Sequence, residues 1–178
     1  MRILRWVGWC QGLLIIWLRL WALRGWSQHD RGSLRLGGQF GFGSDIESFG
    51  LGIRMDYALT SKFLLAPEFM YYFGDDDFGI EVDWYDINVN ANYLIEINNP
   101  NIVPYVLGGL NIARVAVSCE GALGPICEDL NDVEPGFNLG GGVDFLLAGS
   151  LALFGELRAV ISGANQVVFA TGIKLPLN

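Results

Sequence analysis

Residues 83–94 read DWYDINVNANYL. From Asp86 the stretch alternates strictly, with Asp86, Asn88, Asn90 and Asn92 on one parity and Ile87, Val89, Ala91 and Tyr93 on the other. A two-residue period is that of a β-strand whose faces carry opposite chemistry. A sheet in water would turn the asparagines outward, whereas a strand in a bilayer would turn them inward. The fold, and with it the function, depends on which face is wet.

The same rhythm recurs along the chain between clusters of Gly, Asn, Asp, Ser and Pro that punctuate turns. Before the opening stretch come SLRLGGQFGFG, FGLGIRMDY and FLLAPEFMYYF; after it come VPYVLGGLNIARV, FNLGGGVDF, LALFGELRAVI and VVFATGIKLPL. These are eight segments between Leu34 and Leu177. In the second, Phe49, Leu51, Ile53, Met55 and Tyr57 oppose Gly50, Gly52, Arg54 and Asp56. The fifth has no single phase, since Tyr105 and Leu107 share one parity and Val106, Leu110, Ile112 and Arg114 the other. Its faces stay unassigned.

The polar parity collects Arg35, Gln39, Arg54, Asp56, Glu68, Asp86, Asn88, Asn90, Asn92, Asn138, Asp144, Glu156, Arg158 and Lys174, interleaved with glycines. Four bases face five acids. Ions of both signs set among glycines suit a crowded barrel interior in which each charge needs a counter-ion. A water-facing strand has no use for glycine, which weakens it. The apolar parity ends in rings, Tyr57, Phe63, Tyr71, Phe73, Tyr85, Tyr93 and Phe145, as the aromatic girdles of a membrane barrel do. The expected fold is therefore all-β, an eight-stranded antiparallel up-and-down transmembrane β-barrel.

The chain of 178 residues is 52% hydrophobic and 17% charged, yet beyond residue 27 no apolar run approaches the roughly 20 residues of a spanning helix. Its net charge is −8, and residues 1–27 hold four arginines and no acid, leaving −8 minus 4, or −12, on the rest. Such a remainder is unsuited to nucleic acid, whose phosphates require clustered Lys and Arg. The first 27 residues have a basic start and an apolar stretch from Trp6 to Leu18, the outline of an export signal, with Ser27-Gln28 as its best small-residue cleavage site. The expected organisation is a signal peptide at 1–27 and a barrel domain at 28–178.

The segments FGLGIRMDYALTSKFLLAPEFMYYF, VPYVLGGLNIARV and FNLGGGVDFLLAGSLALFGELRAVI resemble the small outer-membrane β-barrel family of Gram-negative bacteria, the OmpA, OmpX and opacity-protein type. The resemblance is one of pattern and covers Leu34 to Asn178. The chain's end, GIKLPLN, departs from it by carrying Leu175 and Leu177 where such barrels commonly finish on an aromatic. The resemblance implies an integral outer-membrane location, both termini on the periplasmic side, and outer-membrane lipid and the barrel assembly machinery as partners of a monomer.

Hydrolytic outer-membrane barrels mostly need a histidine base. The chain has one, His29, ahead of the first segment. No enzymatic activity, cofactor or metal is expected. Asp75, Asp77, Glu81 and Asp83 are oxygen donors, but their spacing is not that of an EF-hand, and they read as a solvated acidic loop open to an external ligand. A second acidic connection holds Glu120, Glu128, Asp129, Asp132 and Glu134. Within it Cys119 and Cys127 flank EGALGPI, and in an oxidising compartment they are expected to form a disulfide. The interior set, Arg35, Arg54, Asp56, Glu68, Asp86, Asn88, Asn90, Asp144, Glu156, Arg158 and Lys174, would lock the barrel or, as the alternative, line a narrow porin-like path for ions or small solutes. Eight strands leave room mainly for side chains. The role expected is structural or surface-interaction.

Overall fold

The alternating segments all become strands of one sheet, and the sheet closes on itself. The computed structural model describes residues 31–74, 76–77, 80–119, 132–147, 151–163 and 165–177, of which 76–77, 80–83, 116–119 and 132 are described in backbone alone. The strands are β1 (Leu34–Gly43), β2 (Ser48–Ala58), β3 (Phe63–Tyr72), β4 (Asp76–Asp77), β5 (Ile80–Leu94), β6 (Ile102–Cys119), β7 (Asp132–Leu146), β8 (Ala152–Ile161) and β9 (Gln166–Pro176). Each barrel strand pairs antiparallel with its neighbours, β1 with β9 and β3 with β5 completing the ring. The two-residue β4 pairs only with the far end of β5 and stands outside the ring of eight. Closure leaves no exposed edge along the spanning part.

The register fixes the barrel's shape. Paired residues followed once around the ring run Ala58, Leu64, Asn92, Leu107, Gly140, Arg158, Val168, Gly43 and back to β2 at Ser48. The return is displaced ten residues from the start. A stagger of that size over eight strands, with ordinary strand rise and spacing, sets a tilt of about 41°. A ten-residue strand so tilted covers about 25 Å, the height of the apolar band of an outer-membrane barrel.

Which face is wet is settled by burial. Arg54, Asp86, Asn88, Asn90, Asn92, Asp144, Glu156, Arg158 and Lys174 are each 0–2% exposed, while Ile53, Leu110, Phe137 and Leu139 are 58–65% exposed. The greasy side chains form the outside and the ionic ones the inside. A sheet that shows water this face would be unstable, so lipid is its solvent. Rings mark both limits of the outer band. On β3 and β5, Phe63 pairs with Tyr93 at one end and Tyr71 with Tyr85 at the other.

The phase of the fifth segment is now assigned. Tyr105 and Leu107 point inward at 3% exposure, and Val106, Leu110, Ile112 and Arg114 point outward. Tyr105 and Leu107 are apolar yet interior because they join Ala58, Leu64 and Leu94 in a small apolar cluster closing the end of the lumen nearest the termini. With apolar residues on both faces, alternation carries no phase there.

Contrary to the expectation of solvated loops, much of the acidic sequence is strand. Asp76, Asp77, Glu81 and Asp83 lie in strands, as do Asp132 and Glu134. β5 and β6 remain paired from Leu94–Tyr105 as far as Ile80–Cys119, beyond the level at which β3 stops at Tyr72. The rim opposite the termini is thus raised on one side. Four residues connect β1 to β2 and four connect β8 to β9 at the same end, and on the other side of the ring a two-stranded wall rises from it.

Candidate functional site

Among the described residues, the buried charged and amide side chains gather in the lumen. β5 delivers its alternating set in order from the long-loop end to the terminal end: Asp86, Asn88, Asn90, Asn92 and then Leu94. Neighbouring strands supply the partners, and the interior resolves into three levels.

Nearest the termini, Lys174 Nζ lies 2.8 Å from Asp144 Oδ1 and 2.8 Å from Asp56 Oδ2. Arg35 approaches the same Asp144 at 3.9 Å. The Lys174 ammonium also stands 4.7 Å from the centre of the Phe154 ring and 5.3 Å from that of Tyr105. A cation so desolvated gains from both the carboxylates and the ring faces.

At mid-height two arginines share two glutamates. Arg54 Nη1 lies 2.9 Å from Glu156 Oε2 and 4.0 Å from Glu68 Oε2, and its Nε lies 3.3 Å from Asp56 Oδ1. Arg158 Nη1 lies 3.0 Å from Glu156 Oε1 and contacts Glu68 Oε1. The Tyr105 hydroxyl donates to Glu156 Oε2 at 2.8 Å. Glu156 therefore receives Arg54, Arg158 and Tyr105 on its two oxygens, which ties β2, β6 and β8 across the barrel.

Toward the loops the network turns from ions to amides. Asn111 donates to Asn88 Oδ1 at 2.8 Å, and Asn138 donates to the Oδ1 atoms of Asn88 and Asn90 at 2.7 and 2.8 Å. Asp86 is fully buried and makes no ion pair among the described residues. With five acids and four bases in the buried set, it is the unmatched charge.

All eleven residues of the polar interior set occupy buried positions, and ten of them enter these three groups, with Asp86 apart. Other inward residues escaped the sequence reading, among them Asn111, Tyr105, Tyr72 and Phe154, each at most 3% exposed. Asn111 would have followed from a settled phase on β6. The three rings carry no such signal, because an aromatic suits either face. The crowding inferred from glycine has a direct counterpart at Gly142, where a β-carbon would fall 2.5 Å from the Tyr105 hydroxyl. Cys119 has only its backbone described, and Cys127, His29, the 1–27 segment and Asp75 lie outside the described residues. Among the described residues no group of three or more His, Cys, Asp or Glu is arranged to hold a metal, and no helix is long and apolar enough to cross a membrane.

No family model and no curated protein matches the sequence. Solved structures do match the fold. The N-terminal β-barrel domain of Pseudomonas aeruginosa OprF superposes with a TM-score of 0.62 at 16% identity, covering 83% of this chain and 98% of that one. This is the fold of the small outer-membrane barrels. Neisserial surface protein A gives 0.60 at 15% identity, covering 80% of this chain and 95% of its own. Ail, the attachment invasion locus protein of Yersinia pestis, gives 0.56 at 14% identity, covering 80% and 97%. These neighbours are integral outer-membrane proteins of Gram-negative bacteria.

Proposed function

We propose that the chain is a monomeric outer-membrane barrel with a structural and surface-interaction role, adhesion-like in kind, and without a catalytic site. The filled lumen carries this reading. Arg54, Arg158, Glu68 and Glu156 cross-link its middle, and the apolar cluster around Leu64 and Leu107 stops its terminal end. An interior so occupied supports a rigid stave ring. Function then falls to the rim opposite the termini, where the long connections emerge and where outer-membrane barrels meet the outside.

The chemistry of that rim selects the partner. Asp75, Asp76, Asp77, Glu81, Glu120, Glu128, Asp129 and Asp132 crowd the two long connections and the strand ends beside them. Ail has been crystallised with a heparin analogue, sucrose octasulfate. A polyanion of that kind would be repelled here, so the external partner of this chain is cationic. Lipid surrounds the barrel, and the assembly machinery inserts it.

Planar-bilayer recording tests the reading. A locked lumen gives no steady current at physiological salt. Large, stable conductance from the purified chain would replace it with the narrow-channel alternative.

A further inference from the structure

Among the described side chains, Arg114 is the one charge on the outward face of the spanning strands, with Asp83 and Glu81 following on the same parity of β5 toward the loops. The outward positions of the eight spanning strands between the two ring belts are aliphatic, aromatic, Met, Pro, Gly or Ala, with Thr171 the polar exception, its hydroxyl donating to the Phe154 carbonyl at 2.8 Å. Arg114 shares their parity, on the same face of β6 as Leu110 and Ile112, and is exposed. Its register partners are Tyr85 and Val133. Tyr85 belongs to the ring belt at the long-loop end, so the guanidinium emerges where acyl chains give way to headgroups.

An arginine turned toward lipid is strongly destabilising at the bilayer midplane and nearly neutral at the interface. Arg114 has the interfacial position, with a stem long enough to lie along the apolar wall. Its guanidinium carbon lies over the Tyr85 ring, 5.9 Å from the centre, at the outer limit of a cation–π contact. Among the described residues no carboxylate lies within ion-pair distance of it. The contrast is Lys62 in the β2–β3 turn at the opposite rim, whose ammonium is 3.2 Å from Glu96 Oε2. A planar cation at headgroup depth, with no carboxylate partner among the described residues, matches the tetrahedral oxygens of a phosphate monoester.

We propose that Arg114, seated over Tyr85, is the binding site for the phosphate of an anionic outer-leaflet lipid. The site goes beyond the surface role described above and rests on its orientation, long loops outward. It gives the barrel a fixed lipid contact on the flank of the β5–β6 wall.

Electron spin resonance of the full chain in phosphatidylcholine nanodiscs tests the site, with spin-labelled phosphatidic acid compared against spin-labelled phosphatidylcholine. The wild type should select phosphatidic acid about fivefold in its motionally restricted fraction, weakening at high salt. Arg114→Gln should abolish the selection and Arg114→Lys should retain part of it. The unboiled gel shift should be unchanged in both variants, which separates loss of the site from loss of the barrel. Absence of selection in the wild type, or full selection in Arg114→Gln, overturns the proposal.

Discussion

Arg54 and Glu156 are 102 residues apart in sequence and 2.9 Å apart in the lumen, joining β2 to β8 across the barrel. Neither reaches solvent. Removing one partner of such a pair strands the other in a poorly solvated interior. Glu156→Ala should destabilise the barrel by about 3 to 5 kcal/mol, read by urea unfolding in lipid vesicles. The Arg54→Ala, Glu156→Ala double variant should be less damaged than the sum of the singles, because it leaves no orphaned charge at that pair.

Glycine should separate the two faces cleanly. Gly142→Val drives a side chain into the Tyr105 hydroxyl and the Gly155 carbonyl, 2.5 and 2.6 Å from the β-carbon position. It should cost about 1 to 3 kcal/mol and displace Tyr105 from Glu156. Gly38 faces outward with nothing within 4 Å of its β-carbon position. Gly38→Ala should be neutral or stabilise by about 0.5 to 1 kcal/mol. Paired unfolding curves of the two variants check both statements.

Leu139 is 65% exposed on the lipid face. Leu139→Arg should therefore destabilise the barrel in a bilayer by about 2 to 4 kcal/mol. A barrel solvated by water would accept the same change without loss, so equal stability of wild type and variant in vesicles would contradict the assignment of faces.

We predict that Cys119 and Cys127 are joined. Intact-mass spectrometry after alkylation should show no label at either residue without reductant and label at both with it. Labelling of both before reduction would remove the cross-link from the account.

Much of this was legible in the sequence because a closed barrel in lipid imposes one rule on every strand. The interior ions, from Arg35 to Lys174, follow from parity alone, since neither lipid nor a crowded lumen tolerates the opposite arrangement. Legibility failed where the rule relaxes. At the terminal end the lumen itself is apolar, so Tyr105 and Leu107 are indistinguishable from lipid-facing residues by polarity. Beyond the bilayer, Glu81 and Asp83 share the parity of Tyr85 and Ile87, so a search for an apolar outer face stops short although β5 continues to Ile80. The pairing partners of the ions, such as Lys174 with both Asp56 and Asp144, depend on stagger. No local pattern encodes stagger.

The inside-out arrangement is tested most directly by spin labels placed one at a time along β5 and β7, at positions 86 to 92 and 137 to 143, in vesicles. Collision with oxygen, which partitions into lipid, should peak at 87, 89, 91, 137, 139, 141 and 143, and a water-soluble nickel chelate should reach none of them. If the chelate collides freely with labels at 87, 89 and 139 while oxygen shows no two-residue period, the greasy face is not in lipid and the account fails.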